Sequence, residues 1–551
     1  MAVWRGLTKP IRYAVLLAGA LPVLAFPAAN LEFLAWLGLV PGLLIMRASP
    51  SAREAAVRGW WFGAGFILAA HYWLTPNIGP ALLLVAIVLG ALWIPVAVST
   101  WLLLRPPASP GRDRIAGVGA ARAATALLVV PSWWLVIEWI RSWQALGGPW
   151  ALLGVSQWQH PAVLGLAAVG GVWLVSFAIV AANTGIVILL TGGRPAIRAL
   201  GAAAAAVAVA AGPTAFALSP PPHPTRFLTV ALVQPGINPG PGASQRLSAG
   251  LGSRHPGLIV WGESSVDSDL ATSPGLRARL AALSAADGAQ ILADQDTVIG
   301  GKKSKTAVLL GPRGIAATYT KTRLVPFGEY IPFRQQLGWL TRISRAAPVN
   351  MVPGTGAKTM LITTPGGSRV SIGVLICFES AFPDMSRVDA RRGAQLIAYQ
   401  TSDSTFQLTW APAQHASLGA VRAAETGRPV VQAALTGDSV AYDAQGRLLA
   451  ALSTGQRGIL VVRLGLAPAA ALTPFDRIGD VVPWAAIGIA LLSVLLLIST
   501  RRPHHPLAIE LDVNLRPVQS VLIQGTLTDR TAGSGPTGRD EGSASSSQSG
   551  Q

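Results

Sequence analysis

The only cysteine of this chain, Cys377, directly follows an apolar run, residues 370–376, that predicts a buried β-strand. Reactive groups of α/β proteins lie at the carboxyl ends of such strands. One cysteine can form neither an intramolecular disulfide nor a cysteine-based metal cluster, so its thiol is either a small core side chain or a reagent. A thiol with an ordinary pKa of about 8.5 is mostly protonated near neutral pH, so a catalytic cysteine needs a base or a cation beside it.

Two charged residues elsewhere in the chain could activate this thiol. Glu263 stands just past residues 258–261, a second predicted strand, and Lys321 lies between this glutamate and the cysteine. The sequence shows no evident Cys/His pairing, and no two histidines stand at a metal-ligand spacing, so we expect neither a metal nor another cofactor. An isolated glutamate or lysine is most often a solvated surface charge, so only the ordered set favours catalysis.

The composition indicates a membrane protein. Hydrophobic residues make up 51% of the chain and charged residues only 12%, and the mean hydropathy is +0.47. Soluble domains carry about 25% charged residues. The net charge of +18 could indicate nucleic-acid binding, but the basic residues are spread over short loops and form no dense block, so no nucleic-acid partner is expected.

Eight apolar stretches are candidates for helices that cross a hydrocarbon core, which takes about 20 residues. The predicted spans are residues 11–27, 30–46, 57–75, 80–104, 123–141, 162–191, 197–217 and 481–499. Basic residues cluster in alternate loops, and the positive-inside rule places those loops in the cytoplasm. They are Arg5, Lys9, Arg12, Arg47, Arg53, Arg58, Arg105, Arg112, Arg114, Arg122, Arg194, Arg198, Arg501 and Arg502. We therefore predict a multi-pass protein of the cell membrane with both termini in the cytoplasm.

Residues 219–475 predict one extracytoplasmic α/β domain, because short apolar and β-branched runs alternate there with turn residues and helical stretches. Strands are predicted at residues 229–234, 258–261, 290–293, 307–310, 370–376, 396–400, 429–434 and 458–462. The predicted organisation is a membrane domain at 1–218, this α/β domain, an eighth membrane helix within 476–502, and a polar cytoplasmic tail at 503–551 that is expected to be disordered.

Three longer motifs carry a resemblance to a known family. They are Leu-Val-Pro-Phe-Gly-Glu-Tyr ending at Tyr330, Arg-Ala-Ala-Glu-Thr-Gly-Arg-Pro at 422–429, and Gly-Gly-Pro-Trp ending at Trp150. Together with the order of Glu263, Lys321 and Cys377, they resemble the carbon-nitrogen hydrolase (nitrilase) superfamily and, within it, the apolipoprotein N-acyltransferases. The resemblance implies an αββα-sandwich catalytic domain inserted before the last of eight membrane spans.

The resemblance also implies roles for individual residues. Glu263 would be the general base that takes the proton of Cys377, and Lys321 would stabilise the oxyanion of the tetrahedral intermediate, together with a backbone N–H after the cysteine. Glu329 would position Lys321 or the incoming amine. The other side chains expected to bind substrate or support the pocket are Trp150, Pro326, Phe327, Tyr330, Phe378 and Glu379.

The chain departs from the family pattern at three places. Gly262 stands where the family usually has proline before the base glutamate, and Phe378 stands where it usually has tyrosine after the cysteine. Residues 402–406 read Ser-Asp-Ser-Thr-Phe where an Asn-Asp-x-Trp-Phe-like segment is common. The last departure predicts a changed aromatic wall in the acyl pocket.

The resemblance implies ping-pong acyl transfer. Cys377 would take an acyl chain from the sn-1 ester of a phospholipid and pass it to the α-amine of a diacylglyceryl-cysteine at the N-terminus of an apolipoprotein. Two alternatives stay open: a membrane-bound nitrilase-type amidase or hydrolase, in which water replaces the amine, and a non-catalytic scaffold or transporter, with Glu138 and Arg141 as its candidate membrane charges. Some actinobacterial relatives carry a polyprenol-phosphate mannosyltransferase after the last span, so association with a separate enzyme of this kind is a further hypothesis.

Overall fold

A computed structural model describes residues 10–105, 119–219, 223–342 and 347–500. The predicted tail, residues 503–551, lies outside these ranges. So do several basic residues on which the predicted topology rests, namely Arg5, Lys9, Arg112, Arg114, Arg501 and Arg502.

The chain before the sheets is helical, because it consists of long apolar runs with few turn residues. Its helices are α1 (Pro10–Ala20), α2 (Phe33–Leu37), α3 (Val40–Arg47), α4 (Ala52–Ala70), α5 (Thr75–Ile78), α6 (Ala81–Gly90), α7 (Ile94–Leu104), α8 (Ala120–Arg141), α9 (Pro161–Thr191) and α10 (Pro195–Leu218).

Among the described residues, five helical segments are long and apolar enough to cross a membrane. They are Ala81–Leu104, Ala120–Arg141, Pro161–Thr191, Pro195–Leu218 and Val481–Ser499. The first two predicted spans form shorter apolar segments, Pro10–Ala25 and Phe33–Arg47. The third coincides with α4, whose first two turns carry charged side chains. Length and composition therefore support membrane helices at five of the predicted positions.

The strands form two sheets that pack face to face. They are β1 (Arg226–Gln234), β2 (Leu258–Trp261), β3 (Gln290–Ile299), β4 (Lys302–Gly311), β5 (Gly314–Thr320), β6 (Thr359–Thr363), β7 (Arg369–Ile376), β8 (Leu396–Thr401), β9 (Val430–Ala434), β10 (Ser439–Tyr442), β11 (Leu448–Leu452) and β12 (Gly458–Leu466). The two six-stranded sheets have the orders β12-β1-β2-β3-β4-β5 and β11-β10-β9-β8-β7-β6. In each, the central strands β1-β2-β3 or β7-β8-β9 run parallel and antiparallel strands flank them.

Helices cover the outer face of each sheet. The helices of this part are α11 (Ala243–Ser248), α12 (Pro274–Asp287), α13 (Arg334–Leu337), α14 (Pro383–Arg391) and α15 (Ala411–Thr426), followed by α16 (Pro474–Ile478) and α17 (Val481–Thr500). Helices α11 and α12 pack on the first sheet, and α14 and α15 pack on the second. The domain therefore has the helix–sheet–sheet–helix layering expected from the sequence.

Every predicted strand is present, but the sequence does not predict β5, β6, β10 or β11. Three of these lie at or beside the sheet edges, where a strand buries fewer side chains: β5, β6 and β11 are edge strands with partly exposed residues. Because burial on both faces is what produces a continuous apolar run, edge strands leave a weaker signal in the sequence. The fourth, β10, is only four residues long.

The two sheets contact each other where β2 and β8 end. The side-chain amide of Gln400 donates to the carbonyl oxygen of Trp261 at 2.9 Å, and the backbone N–H of Glu263 donates to the carbonyl oxygen of Thr401 at 3.1 Å. Residues that follow β2 in the first sheet therefore lie close to residues that follow β8 in the second sheet.

The start of α15 contacts the N-terminal helical part of the chain. Gln414 donates through Nε2 to the carbonyl oxygen of Pro27 at 3.0 Å and accepts a hydrogen bond from Trp150 Nε1 at 2.9 Å. The side chain of Gln414 is buried. This end of the helix is therefore fixed by polar contacts on two sides.

The other end of α15 contacts an irregularity in α9. The backbone of α9 is non-helical at Gly170 and Gly171, and Glu425 accepts a hydrogen bond at 2.7 Å from the next N–H, that of Val172. Glu425 also pairs with Arg422 at 2.6 Å, and both side chains are fully buried. The break in α9 is thus stabilised by a carboxylate from the α/β domain.

Replacing Glu425 with alanine should lower the free energy of unfolding by about 3–5 kcal/mol, because it leaves the charge of Arg422 buried and unpaired. Unfolding of the detergent-solubilised protein, followed by tryptophan fluorescence, measures the change. The double substitution Glu425→Leu/Arg422→Met removes both charges and should recover part of the loss. Equal stability of Glu425→Ala and the wild type would contradict this account of the α9 contact.

Candidate active site

Cys377 lies at the carboxyl end of β7, where the chain leaves the sheet. Its φ of +52° is in the left-handed region, which costs a non-glycine residue about 1–3 kcal/mol and persists only where the surroundings enforce it. The Ser380 hydroxyl donates to the carbonyl oxygen of Cys377 at 2.8 Å, and Nε2 of His415 lies 3.2 Å from the same oxygen. These contacts hold the turn, and with it the direction of the thiol.

Glu263 and Lys321 reach the thiol from the first sheet, where they follow β2 and β5. Lys321 Nζ lies 3.0 Å from Glu263 Oε1, and the Cys377 thiol lies near enough to both groups to interact with them electrostatically. Although they are far apart in the chain, the structure brings these three predicted site residues together.

The ammonium of Lys321 is shared between two carboxylates. Besides its contact with Glu263, Nζ donates to Glu329 Oε1 at 2.7 Å, while Glu329 Oε2 accepts from the backbone N–H of Val325 at 2.9 Å. The lysine side chain is fully buried, and the side chains of Glu263 and Glu329 are only 5% and 10% exposed. Lys321 is therefore held between two carboxylates at a position that is almost inaccessible to solvent.

Burial and charge set the proton distribution of the site. Burial raises the pKa of the Cys377 thiol well above its ordinary value, and the charge of Glu263 raises it further, against the opposing effect of Lys321. Burial also tends to raise the pKa of Glu263, but Lys321 and Lys305 outweigh it and hold this pKa below its usual range. The pKa of Lys321 is raised, because its two carboxylate partners outweigh burial. The resting site thus holds a thiol, a carboxylate and an ammonium, so attack by this sulfur would require a neighbouring base to take its proton.

Glu379, two residues after Cys377, joins two segments: the turn at Cys377–Ala381, here named the nucleophile turn, and residues 321–323, here named the lysine segment. Its Oε2 accepts from the backbone N–H of Ile376 at 2.8 Å. Its Oε1 accepts from the backbone N–H groups of Thr322 and Arg323 at 2.6 and 2.9 Å, and from the Tyr319 hydroxyl at 2.8 Å. Burial raises the pKa of Glu379, although these hydrogen bonds favour its charged form. One buried carboxyl group thus fixes the distance between the turn that carries the thiol and the segment that carries the ammonium.

Phe378 and Trp150 form part of an aromatic wall. The Phe378 ring packs edge-on against Phe382, with centroids 5.0 Å apart, and Gly148 lies so close to both rings that a Cβ there would be 2.7 Å from Phe378 Cζ. The Trp150 ring lies 5.7 Å from that of His415. The loop between α8 and α9 therefore packs directly on the nucleophile turn.

Pro326, Phe327 and Tyr330 lie in a tight turn after Lys321. The backbone N–H of Phe327 donates to the carbonyl oxygen of Tyr330 at 2.6 Å, and Pro326 forms a β-bridge with Tyr330. Tyr330 lines a cavity of about 480 Å³ together with Trp143 and Phe333. Of the described residues that line this cavity, none is a member of the Glu263, Lys321 and Cys377 set. The structure thus places this turn beside the lysine segment.

Two departures from the family pattern have a structural explanation. A Cβ on Gly262 would lie 2.0 Å from the backbone nitrogen of Leu435, so neither proline nor any other side chain fits this backbone. Phe406 packs edge-on against Trp73 with ring centroids 4.8 Å apart, and Trp73 lies 5.1 Å from Trp150. The altered segment therefore still contributes an aromatic side chain to this wall. The structure gives no reason for phenylalanine at position 378.

Sequence reasoning missed the pair formed by Asp403 and His415. Asp403 Oδ1 lies 2.9 Å from His415 Nδ1, and His415 Nε2 lies 2.9 Å from the Ser380 hydroxyl that also contacts the nucleophile turn. Burial lowers the pKa of His415, but the charge of Asp403 outweighs it and the net pKa is raised. A histidine among the apolar residues of α15 reads as part of a core, so the sequence offered only a weak signal.

Sequence reasoning also missed Lys305, whose Nζ lies 3.7 Å from Glu263 Oε1. Lys305 lies in the polar run that starts β4, residues 302–306, and such a run is typical of a solvated loop. Only the pairing of β4 with β3 and β5 places its side chain beside Glu263.

The described residues contain no group of three or more His, Cys, Asp or Glu side chains placed to hold a metal ion. The site holds a thiol, a carboxylate and a fixed cation. These are the groups that acyl transfer through a thioester requires: the sulfur attacks a carbonyl carbon, the carboxylate takes the proton, and the cation faces the oxygen on which negative charge develops.

Two family models match the chain. The model described as "Apolipoprotein N-acyltransferase N-terminal domain" matches residues 18–185, and the model described as "Carbon-nitrogen hydrolase" matches residues 284–472. The second match confirms the nitrilase-like domain expected from the sequence. A solved structure of an amidase from Nesterenkonia sp. is 21% identical, covers 44% of this chain and 90% of its own, and superposes with a TM-score of 0.31.

Related proteins named apolipoprotein N-acyltransferase match most of the chain. The one from Allorhizobium ampelinum is 30% identical over 503 residues, which cover 83% of this chain and 90% of the relative. The one from Geobacter metallireducens is 28% identical, over 89% of this chain and 95% of the relative. This identity, sustained over nearly the whole length of the relatives, confirms the predicted family: the chain belongs to the apolipoprotein N-acyltransferases.

Proposed function

We propose that this protein moves a fatty acyl chain from a phospholipid, through a thioester on Cys377, to the α-amine of a diacylglyceryl-cysteine at the N-terminus of an apolipoprotein. The observation that carries the proposal is the buried ion pair of Glu263 and Lys321 beside the Cys377 thiol, in a chain of this family. A nucleophile, a base and a cation gathered in one buried site are what a two-step acyl transfer needs.

In the first half-reaction, Glu263 takes the proton of the Cys377 thiol as the sulfur attacks the carbonyl carbon of the sn-1 ester. The negative charge that forms on the carbonyl oxygen is stabilised by Lys321 and by a backbone N–H after the cysteine. The carbon–oxygen bond of the ester then breaks, and Glu263 returns the proton to the departing oxygen. The products are a thioester on the enzyme and a lysophospholipid.

In the second half-reaction, the lipoprotein amine attacks the carbonyl carbon of the thioester. Glu263 takes a proton from the amine, the carbon–sulfur bond breaks, and the proton passes to the departing sulfur of Cys377. The product is an amide, and the enzyme returns to its starting state. A thioester suits this step because an amine attacks it readily.

The remaining predicted residues have supporting roles in this proposal. Glu329 positions Lys321, and Glu379 sets the distance between the lysine segment and the nucleophile turn. Phe378 and Trp150 are assigned to the wall against which the acyl chain lies. The turn formed by Pro326, Phe327 and Tyr330 is assigned to the edge of the site, since Tyr330 lines the adjacent cavity.

The proposal includes a placement in the cell membrane. Residues 1–218 and 476–502 supply eight spans, residues 219–475 face away from the cytoplasm, and both termini, including the tail at 503–551, lie in the cytoplasm. Five long apolar helices and the basic residues of alternate loops support this arrangement. Both substrates carry lipid anchors, so a site that opens to the bilayer from outside can receive each of them. A separate polyprenol-phosphate mannosyltransferase remains a proposed partner that co-purification would test.

The thioester can be detected directly, because the chain has a single cysteine. Incubating the purified protein with phospholipid should add one acyl mass at Cys377, and Cys377→Ser should show no addition at this position. A synthetic diacylated lipopeptide should then discharge the thioester and become N-acylated. Mass spectrometry of the intact protein and of the peptide measures both steps.

A wild-type protein that acquires no acyl mass would contradict the proposal. If the thioester forms but water discharges it as fast as the lipopeptide does, the protein is a hydrolase and the acyl-transfer proposal fails.

Replacing Lys321 with methionine should slow thioester formation by about 10²–10³-fold, since it removes the cation that faces the developing oxyanion. Rapid-quench mass spectrometry measures the rate, and alkylation of Cys377 by iodoacetamide checks that the thiol is still present in a folded site. Lys302→Met, which removes an exposed lysine from β4, is the matched control and should react at the wild-type rate. A Lys321→Met rate close to that of the wild type would exclude this role.

The orientation can be tested with single cysteines introduced in a Cys377→Ser background. Ser368, exposed in the turn between β6 and β7, and Gly193, exposed between α9 and α10, are suitable sites. A membrane-impermeant maleimide should label Ser368→Cys in intact spheroplasts and label Gly193→Cys only after permeabilisation. The reverse pattern would place the α/β domain in the cytoplasm.

A further inference from the structure

A second lysine contacts the base of the site. Lys305 Nζ lies 3.7 Å from Glu263 Oε1, the same oxygen that Lys321 approaches to 3.0 Å. The side chain of Lys305 is only 12% exposed. Its ammonium also donates to the Ser264 hydroxyl at 2.6 Å and to Asp296 Oδ1 at 3.0 Å. Lys305 is therefore held in place by contacts on several sides, with the base as one of its neighbours.

We infer that Lys305 is a positioning residue of this site, a second cation that acts with Lys321 to keep Glu263 ionised and ready to take the proton of Cys377. The inference deepens the proposed function and rests on the role that it gives to Glu263. A carboxylate buried from water favours its neutral form unless positive charge stands beside it. Lys321 alone cannot supply that charge in full, since Glu329 shares its ammonium.

Lys305 also fixes the backbone just after the base. Ser264 has a φ of +53°, and its hydroxyl accepts from Lys305 while its N–H donates to Asp294 Oδ1 at 2.7 Å. Lys305 therefore acts on the site in two separate ways: its hydrogen bonds hold the backbone after Glu263, and its charge favours the ionised form of Glu263. A test must distinguish them.

Several ionisable groups surround this pair. Those facing Glu263 are Lys321, Lys305, Cys377, Asp294 and His415, and those facing Lys305 are Glu263, Asp294, Asp296 and Lys321. Asp403 and Glu329 are further charged groups near the Cys377 thiol, and their charges raise its pKa in addition to burial. Among them, burial raises the pKa of Asp294 to about 7, against the lowering effect of Lys305, so Asp294 responds to the same lysine.

The test is the pH dependence of two reactions of Cys377: thioester formation with phospholipid, and alkylation by iodoacetamide, which needs no lipid. Both are followed by mass spectrometry in wild type, Lys305→Gln and Lys305→Met. Losing a cation makes the Glu263 carboxylate take its proton at higher pH. The acid limb of both profiles should therefore shift to higher pH by about one unit in both variants. Lys305→Gln keeps hydrogen-bonding capacity without charge, so it isolates the electrostatic contribution.

Two controls accompany these variants. Lys303→Met removes an exposed lysine from the same strand and should leave the acid limb unchanged. The Lys305 variants are also compared with the parent protein in an Asp294→Asn background. If the acid limb still shifts there, the shift arises from titration of Glu263 and not of Asp294. Lys305→Arg retains a positive charge, so the acid limb of both pH profiles should lie close to its wild-type position in this variant.

An acid limb that stays in place in Lys305→Gln while the rate falls at every pH would overturn the inference, since a purely structural contact predicts that result. A shift that disappears in the Asp294→Asn background would overturn it as well. Failure of the proposed function has a different signature: the wild type would be alkylated with a normal pH profile but would acquire no acyl chain from phospholipid.

Discussion

The site depends on a lysine ammonium that is buried between two carboxylates. Transfer of any one of these charges from water into a dry environment is costly, and the cost is offset by the contacts of Lys321 with Glu263 and Glu329 and by the charge of Lys305 beside Glu263. The arrangement fixes all three groups without help from solvent. The pKa of Lys321 is thereby raised and that of Glu263 lowered, whereas burial raises the pKa of the neighbouring Cys377 thiol.

The surrounding fold keeps this cluster aligned with the nucleophile. The base and the lysine come from one sheet and the cysteine from the other, so their relation depends on contacts that cross between the sheets. Glu379 supplies such contacts by accepting hydrogen bonds from both the nucleophile turn and the lysine segment. The strained backbone of Cys377 is held on its other side by Ser380 and His415. Each of these side chains is buried, so the alignment does not rely on flexible surface groups.

Sequence reasoning succeeded where chemistry leaves a local signature. An apolar strand followed by a lone cysteine and the motif around Lys321 led to the correct family, and the strongly apolar runs gave the central strands. Edge strands were missed, since partial burial weakens their pattern. Lys305 and His415 were missed for a related reason, because their significance arises only when distant strands and helices pack together. The catalytic roles, the eight spans and the orientation remain predictions, whereas the convergence of Glu263, Lys321 and Cys377 is a feature of the structure.

The near absence of water around Lys321 limits what part of a donor lipid can approach it. A phosphate group next to Glu263 and Glu329 would add negative charge where two carboxylates already stand and where solvent cannot screen them. The reacting ester is neutral and carries no such penalty. Burial of the Lys321 cluster thus favours a neutral acyl linkage over a charged group at this place in the site.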